Sequence, residues 1–203
     1  MGPTLIFDYD GVIVDSLDLF MGYFIEACKK EGFPEIGSKT VFLSLFDGNM
    51  FEKMKQKGMK RQHILNIMYF MKDELLKNQE KLHVFPGISQ TLKILSRNHP
   101  LYIITSNESK VVDQFLELQK IQFFKDIYGS DKEPSKVKKI ERIKKDNDTV
   151  FYIGDTAGDI IEGKQAGVQT IAVTWGWHDK EKLRQSSPDH IISQPSDLLT
   201  LFV

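Results

Sequence analysis

Five short apolar runs, at residues 4–7, 101–105, 150–153, 170–174 and 190–192, each have the length of a buried strand. Between them the apolar residues recur every third or fourth position: Ile88, Leu92 and Leu95; then Val111, Val112, Phe115, Leu116 and Leu118; then Val137, Ile140 and Ile143. A strand that is apolar on both faces needs cover on both faces, and a helix between strands returns the chain so that they lie parallel. The alternation predicts an α/β fold with a doubly wound, Rossmann-like parallel sheet. At 203 residues, 41% of them hydrophobic, the chain can bury one such core and a smaller appendage.

The appendage is predicted between the first run and the second. Residues 17–82 hold helical patterning, amphipathic over 17–30 and 64–76, with turns at Gly32-Phe33-Pro34 and Phe46-Asp47-Gly48-Asn49 and no convincing strand. Pro86-Gly87 marks the return to the sheet. The expected division is a core of residues 1–15 and 85–203 and an inserted all-helical domain of residues 16–84.

Charge and cysteine usage narrow the function. Lys and Arg number 27 against 28 Asp and Glu, so the formal charge of -1 offers no basic footprint for nucleic acid. Cys28 is the only cysteine and falls on the apolar face Phe20, Tyr23, Phe24, Ala27, Cys28, so it reads as core, and a reducing, cytoplasmic setting is expected. No run is long enough to span a membrane, no secretion signal is legible, and Ile6 stands where a myristoylation motif needs Ser or Thr. The run 136–145 is Lys-rich, with apolar residues every third position, so most of its charges read as a solvated helix face.

The chemistry lies at the strand ends, where open parallel sheets bind their ligands. The first run ends in Asp8-Tyr9-Asp10-Gly11, which sets two carboxylates on one side of the strand end with a glycine turn behind them. Two carboxylates so close repel unless a cation or a shared proton intervenes. The run 150–153 ends in Gly154-Asp155-Thr156-Ala157-Gly158-Asp159, a second acidic pair; Asp159 can serve a metal or cap a helix starting near Ile160. Four carboxylates at two strand ends suit a hard cation such as Mg²⁺. Between them, Thr105-Ser106-Asn107 offers hydroxyl, amide and backbone N–H groups suited to a phosphate, or an ordinary helix cap. Lys132 and Lys136 are the candidate fixed cations.

With these four segments in order, the sequence resembles the haloacid dehalogenase-like hydrolases, in particular their phosphoglycolate phosphatase-like branch, over nearly the whole chain. DYDGVIVDS at residues 8–16 and GDTAGD at residues 154–159 are similar to the family's first and fourth motifs; Ser106 and residues 132–136 stand for the second and third. The downstream Ala166-Gly167-Val168 and Thr174-Trp175-Gly176 also match, and the helical insertion lies where this branch carries its cap. The resemblance implies a Mg²⁺-dependent phosphatase of a small phosphorylated metabolite such as phosphoglycolate. It makes Asp8 the nucleophile that forms an aspartyl-phosphate and Asp10 the acid and base. Mg²⁺ is then held by Asp8, the Asp10 carbonyl and Asp155, with Asp159 binding directly or one layer further out. Ser106 or Thr105 holds the phosphoryl group, with Asn107 and Gly11 beside it, and a lysine neutralises its charge. Many relatives place Pro directly after that lysine, whereas here Lys132 precedes Glu133-Pro134 and Lys136 precedes Val137; Lys136, behind the cap residue Ser135, is preferred. Asn49 and its neighbours are the candidate contacts to the leaving group.

Other readings remain beside this one. A sugar phosphomutase shares every core residue, and a non-catalytic phospho-ligand-binding or partner-binding protein would tolerate loss of a core acid, though all four are present. A bacterial receiver domain lacks the insertion, a dehalogenase does not need Asp10, and a phosphonate hydrolase needs a cap lysine that no pattern selects here. Oligomeric state is not legible in the sequence.

Overall fold

The computed structural model describes residues 2–146 and 149–203. Strand β1 (Thr4–Phe7) is followed by a two-residue strand β2 (Val14–Asp15) and then by helices α1 (Leu17–Lys30), α2 (Lys39–Ser44), α3 (Met50–Gln56) and α4 (Arg61–Lys77). Strand β3 (His83–Val84) pairs antiparallel with β2, Val14 opposite Val84 and Asp15 opposite His83, so both ends of the helical segment leave the core side by side. The remainder alternates: α5 (Ile88–Leu95), β4 (Leu101–Ile104), α6 (Ser109–Leu118), β5 (Asp126–Tyr128), α7 (Lys136–Lys144), β6 (Val150–Gly154), α8 (Ala157–Gln165), β7 (Gln169–Val173), α9 (Lys180–Gln185), β8 (His190–Ile192) and α10 (Asp197–Phe202).

Six of these strands form one parallel sheet in the order β5-β4-β1-β6-β7-β8. The chain winds outward from β1 to one edge and then returns to fill the other side, so the direction of winding reverses between β1 and β6, where α/β sheets open a crevice. All four residues of β1 are buried. Strand alternation divides them between two cores: Leu5 and Phe7 pack with Leu92, Val112 and Phe115, and Ile6 with Ile104, Ile140 and Tyr152 on the opposite face. The parallel α/β core expected from the sequence is present. Strand β5 was not legible there, because a three-residue edge strand with Ile127 as its one aliphatic residue carries no periodic signal.

The helical segment has its own core. Phe20, Phe24, Ala27 and Cys28 of α1 pack with Phe42, Met54, Ile67 and Met71, and burial pushes the Cys28 thiol up to about 12, so it is inert packing at neutral pH. One member of this cluster comes from the sheet side: Trp177, in the loop after β7, lies against Phe20, Phe42 and Phe46. Among the described residues, no helix is long and apolar enough to cross a membrane.

Candidate active site

Asp8 extends β1 by one step, its N–H donating to the carbonyl of Ile153 at 2.8 Å. The chain then turns sharply. The N–H groups of Ile13 and Val14 both donate to the Tyr9 carbonyl, and Gly11 adopts φ +77°, where a side chain would be strained and a Cβ would fall 1.9 Å from Oδ2 of Asp155. Tyr9 points into the core against Phe115, while Asp8 and Asp10 both face a small cavity. Alternation at the strand end thus does what its spacing implied.

The two carboxylates have different partners. Asp8 accepts from the Tyr9 N–H at 2.8 Å through Oδ1 and from the Lys136 ammonium at 2.8 Å through Oδ2. Asp10 accepts from the Ser16 hydroxyl at 2.6 Å and from the Asn107 amide at 2.7 Å, which aims its carboxyl at the end of β4. Burial pushes the Asp10 carboxyl up to about 6, against the hydrogen bond from Ser16, the charge of Lys136 and the hydrogen bond from Asn107. Burial raises Asp8 as well, with Lys136 opposing and the neighbouring acids adding to the shift.

Lys136 is the first residue of α7, behind Ser135, whose hydroxyl caps the helix by accepting from the Lys138 N–H. Its ammonium also lies 2.6 Å from Oδ1 of Asp159. Lys132, the other candidate, is not brought to the site: it bonds Asp126 and the Ile127 carbonyl on an exposed face. The helix start behind Ser135 carries Lys136 inward.

Helix α8 begins at Ala157, three residues before the start expected from the sequence, with Thr156 as its cap. Asp159 is therefore not the cap but its reciprocal partner, accepting from the Thr156 N–H and hydroxyl through Oδ2, while Oδ1 accepts from Lys136 and from the Tyr152 hydroxyl. Burial works against its ionisation, yet Lys136, Thr156 and Tyr152 together hold its carboxyl below the usual range. Asp155 differs. Its Oδ2 accepts from the Trp177 N–H at 2.7 Å, but Oδ1 is buried without a partner among the described residues, and burial beside Asp159 and Asp8 pushes the carboxyl well above its ordinary value.

Oxygens of Asp8, Asp155 and Asp159 lie within 4.8 Å of one another. A buried oxygen with no partner, surrounded by other carboxylates, suits a divalent cation, which wants oxygen ligands and relieves their repulsion. Each Asp159 oxygen already accepts two hydrogen bonds, each Asp8 oxygen accepts one and Oδ1 of Asp155 accepts none, so Asp155 and then Asp8 have lone pairs left for a cation; the side chain of Asp10 is turned to Ser16 and Asn107.

The Thr105 hydroxyl accepts from the Asn107 N–H and shapes the turn, whereas Ser106 lines the cavity and makes no hydrogen bond through its hydroxyl among the described residues. Lys139, one turn after Lys136, is 1% exposed and donates to the Thr105 carbonyl at 2.7 Å; burial, reinforced by the Lys136 charge, lowers it to about 7. Sequence reading placed it on a solvated helix face. The period-three stripe of α7 concealed it, because a lysine beside Ile140 carries no mark of burial.

The cavity has room for roughly one water. Phe20 and Phe46 of the helical segment and Trp177 of the sheet domain roof it. The helical segment is held down at its rim. The Gly158 N–H donates to the Phe46 carbonyl at 2.9 Å, Asn49 donates to Glu162 at 2.9 Å, and Asp47 pairs with Lys182. Asn49 thus sits at a seam between the helical segment and α8, outside the cavity. His178 is 3% exposed: its Nδ1 accepts from the Ala157 N–H and its Nε2 faces the Leu43 carbonyl at 3.2 Å. Burial lowers its pKa and keeps it neutral, which suits one accepting and one donating nitrogen. Phe20, Phe46, Trp177, Tyr152 and His178 were missed as site residues because nothing local distinguishes them from core or surface.

A family model described as haloacid dehalogenase-like hydrolase matches residues 5–173, which contain every strand-end group above. The chain belongs to the haloacid dehalogenase-like hydrolases. This hydrolase is 26% identical to a phosphoglycolate phosphatase of Synechococcus elongatus, over 97% of its own length and 95% of the relative's. It is likewise 26% identical to the pyrophosphatase PpaX of Oceanobacillus iheyensis, over 98% and 95%. Among solved structures it resembles a haloacid dehalogenase-like family hydrolase from Streptococcus pneumoniae, with TM-score 0.79 and 26% identity over 98% and 97% of the chains. A hydrolase from Pseudomonas syringae shares the fold at TM-score 0.78 and 18% identity, over 98% and 97%.

Proposed function

We propose that this hydrolase is a Mg²⁺-dependent phosphatase acting on a small phosphomonoester through an aspartyl-phosphate. The observation that carries this reading is the division of labour between the two strand-end acids. Asp8 accepts from Lys136 and shares a carboxylate cluster with Asp155, whose Oδ1 has no partner among the described residues, whereas Asp10 is held apart by Ser16 and Asn107 with a carboxyl raised to about 6. In this reading the Asp8 carboxylate attacks phosphorus, the bond from phosphorus to the leaving oxygen breaks, and Asp10 gives its proton to that oxygen. Asp10, now a base, takes a proton from water as the water attacks the phosphoryl-enzyme, which releases phosphate and restores Asp8. Ser106 donates to a phosphoryl oxygen and Lys136 offsets the developing charge. Asp8, Asp155 and the Asp10 carbonyl would hold the cation. When bound, it screens the phosphate charge from the attacking carboxylate. Residues 16–84 act as a cap that lifts to admit substrate, since the closed cavity cannot hold one, and residues 1–15 and 85–203 form the catalytic core.

The test is release of phosphate from p-nitrophenyl phosphate and a panel of small esters, with and without Mg²⁺. Mg²⁺-dependent release that disappears in Asp8→Asn is expected. Release undiminished in that variant would overturn the assignment of the nucleophile.

A further inference from the structure

We infer that this site selects phosphomonoesters whose leaving group bears no negative charge, an inference that rests on the phosphatase reading above. When the cap settles again over a phosphoryl group held by Asp8, Ser106 and Lys136, the leaving group meets the rest of the cavity wall, moved apart to admit it: Phe20, Phe46, Trp177, Thr105, Thr156 and the Asp10 carboxyl. Three of these are aromatic, two are neutral threonines and the sixth is an acid. Among the described residues, Lys136 is the only cationic side chain lining the cavity, and its ammonium is already shared between Asp8 and Asp159.

The neighbouring cations do not reach this space. Lys139 is turned to the Thr105 carbonyl, Lys182 is paired with Asp47, and Lys53, Lys55 and Lys138 line a separate cleft on the outer side of the Asn49–Glu162 seam. An anionic leaving group would therefore be desolvated against aromatic rings, beside a carboxyl, with no counter-charge. A neutral group of the same size meets no such penalty.

This separates the chain from the activities named for two of its relatives. Glycolate leaves as a carboxylate, and pyrophosphate leaves as phosphate; both are anions.

The experiment compares kcat/KM for 2-hydroxyethyl phosphate, 2-phosphoglycolate and pyrophosphate at saturating Mg²⁺, with p-nitrophenyl phosphate as a general reporter. The first and second differ chiefly in a terminal hydroxyl against a carboxylate. The hydroxyethyl ester is expected to exceed both anions by at least about tenfold, a difference typical of one unpaired buried group. Phe46→Lys, which puts a cation in the roof, is expected to narrow the gap to phosphoglycolate; if that variant misfolds, the wild-type comparison still decides. Turnover of phosphoglycolate or pyrophosphate equal to or above that of the neutral ester overturns this inference and leaves the phosphatase reading standing. Folded protein that releases no phosphate from any of the four overturns both.

Discussion

Lys136 and Asp159 meet with Nζ 2.6 Å from Oδ1, their side chains 10% and 1% exposed, so each is the counter-charge that lets the other stay ionised away from water. Removing one partner strands the other. Lys136→Met is expected to destabilise the fold by about 3–5 kcal/mol, the usual cost of breaking a buried ion pair. The double variant Lys136→Met with Asp159→Asn should lose clearly less than the two single losses combined. Urea denaturation of the four proteins measures this; simple additivity would mean the pair is not coupled.

Asp155 supplies the clearest prediction for metal binding. A ligand that binds only the native state raises its stability in proportion to the logarithm of its concentration. Millimolar Mg²⁺ is therefore expected to raise Tm, and Asp155→Asn should abolish that rise. Because Asn removes a charge disfavoured by burial beside Asp159 and Asp8, the variant should match or exceed the wild-type Tm in the presence of chelator. A variant that keeps the full Mg²⁺ shift would remove Asp155 from the ligand set.

Lys139 predicts a pH dependence of stability. Its native pKa, about 7, lies below the ordinary 10.5, so between these values the unfolded chain binds a proton that the native protein does not. Stability due to this group therefore rises with pH through that window, by at most about 1.4 kcal/mol per pH unit, and the full cost is present below about pH 7. From pH 7 to 8, below the range where Cys28 contributes, Lys139→Met should have a smaller dependence of stability on rising pH than wild type, whatever opposite slope the raised Asp155 carboxyl adds to both. The slope is the readout, since loss of the hydrogen bond to Thr105 shifts the level at every pH. Equal slopes would place the ammonium in water.

Gly158 tests how the helical segment is held closed. A Cβ there would lie 2.7 Å from the carbonyl oxygens of Phe46 and Gly48, both backbone atoms that cannot rotate away. Gly158→Ala is expected to push back the loop at residues 46–48, at a cost of about 1–3 kcal/mol. Faster hydrogen exchange at the amide of residue 158, which donates to the Phe46 carbonyl, would locate the loss at the seam, whereas unchanged stability and exchange would show that the loop yields without cost.

Much of the fold was legible because burial on two faces leaves a mark in one dimension. The run at residues 4–7 is apolar throughout, and only a central strand of a covered sheet uses such a run. Strand ends were legible for the same reason, since Asp8, Asp10 and Asp155 break apolar runs that nothing but chemistry requires to end in acid. Asn107 was legible only as a phosphate contact; its place beside Asp10 comes from β4 lying next to β1.

The composition and periodicity of the chain determined a parallel α/β sheet, a helical insertion after its first strand and four carboxylates at two strand ends, because period and hydrophobicity are local properties. Tertiary structure decided which lysine enters the site, that Asp159 braces Lys136 while Asp155 keeps an oxygen free, and that Trp177 closes the cavity with Phe20 and Phe46. These depend on which side chains from distant segments share one buried volume, where each unpaired charge or donor must find a partner, and only the packed chain determines which partners are within reach.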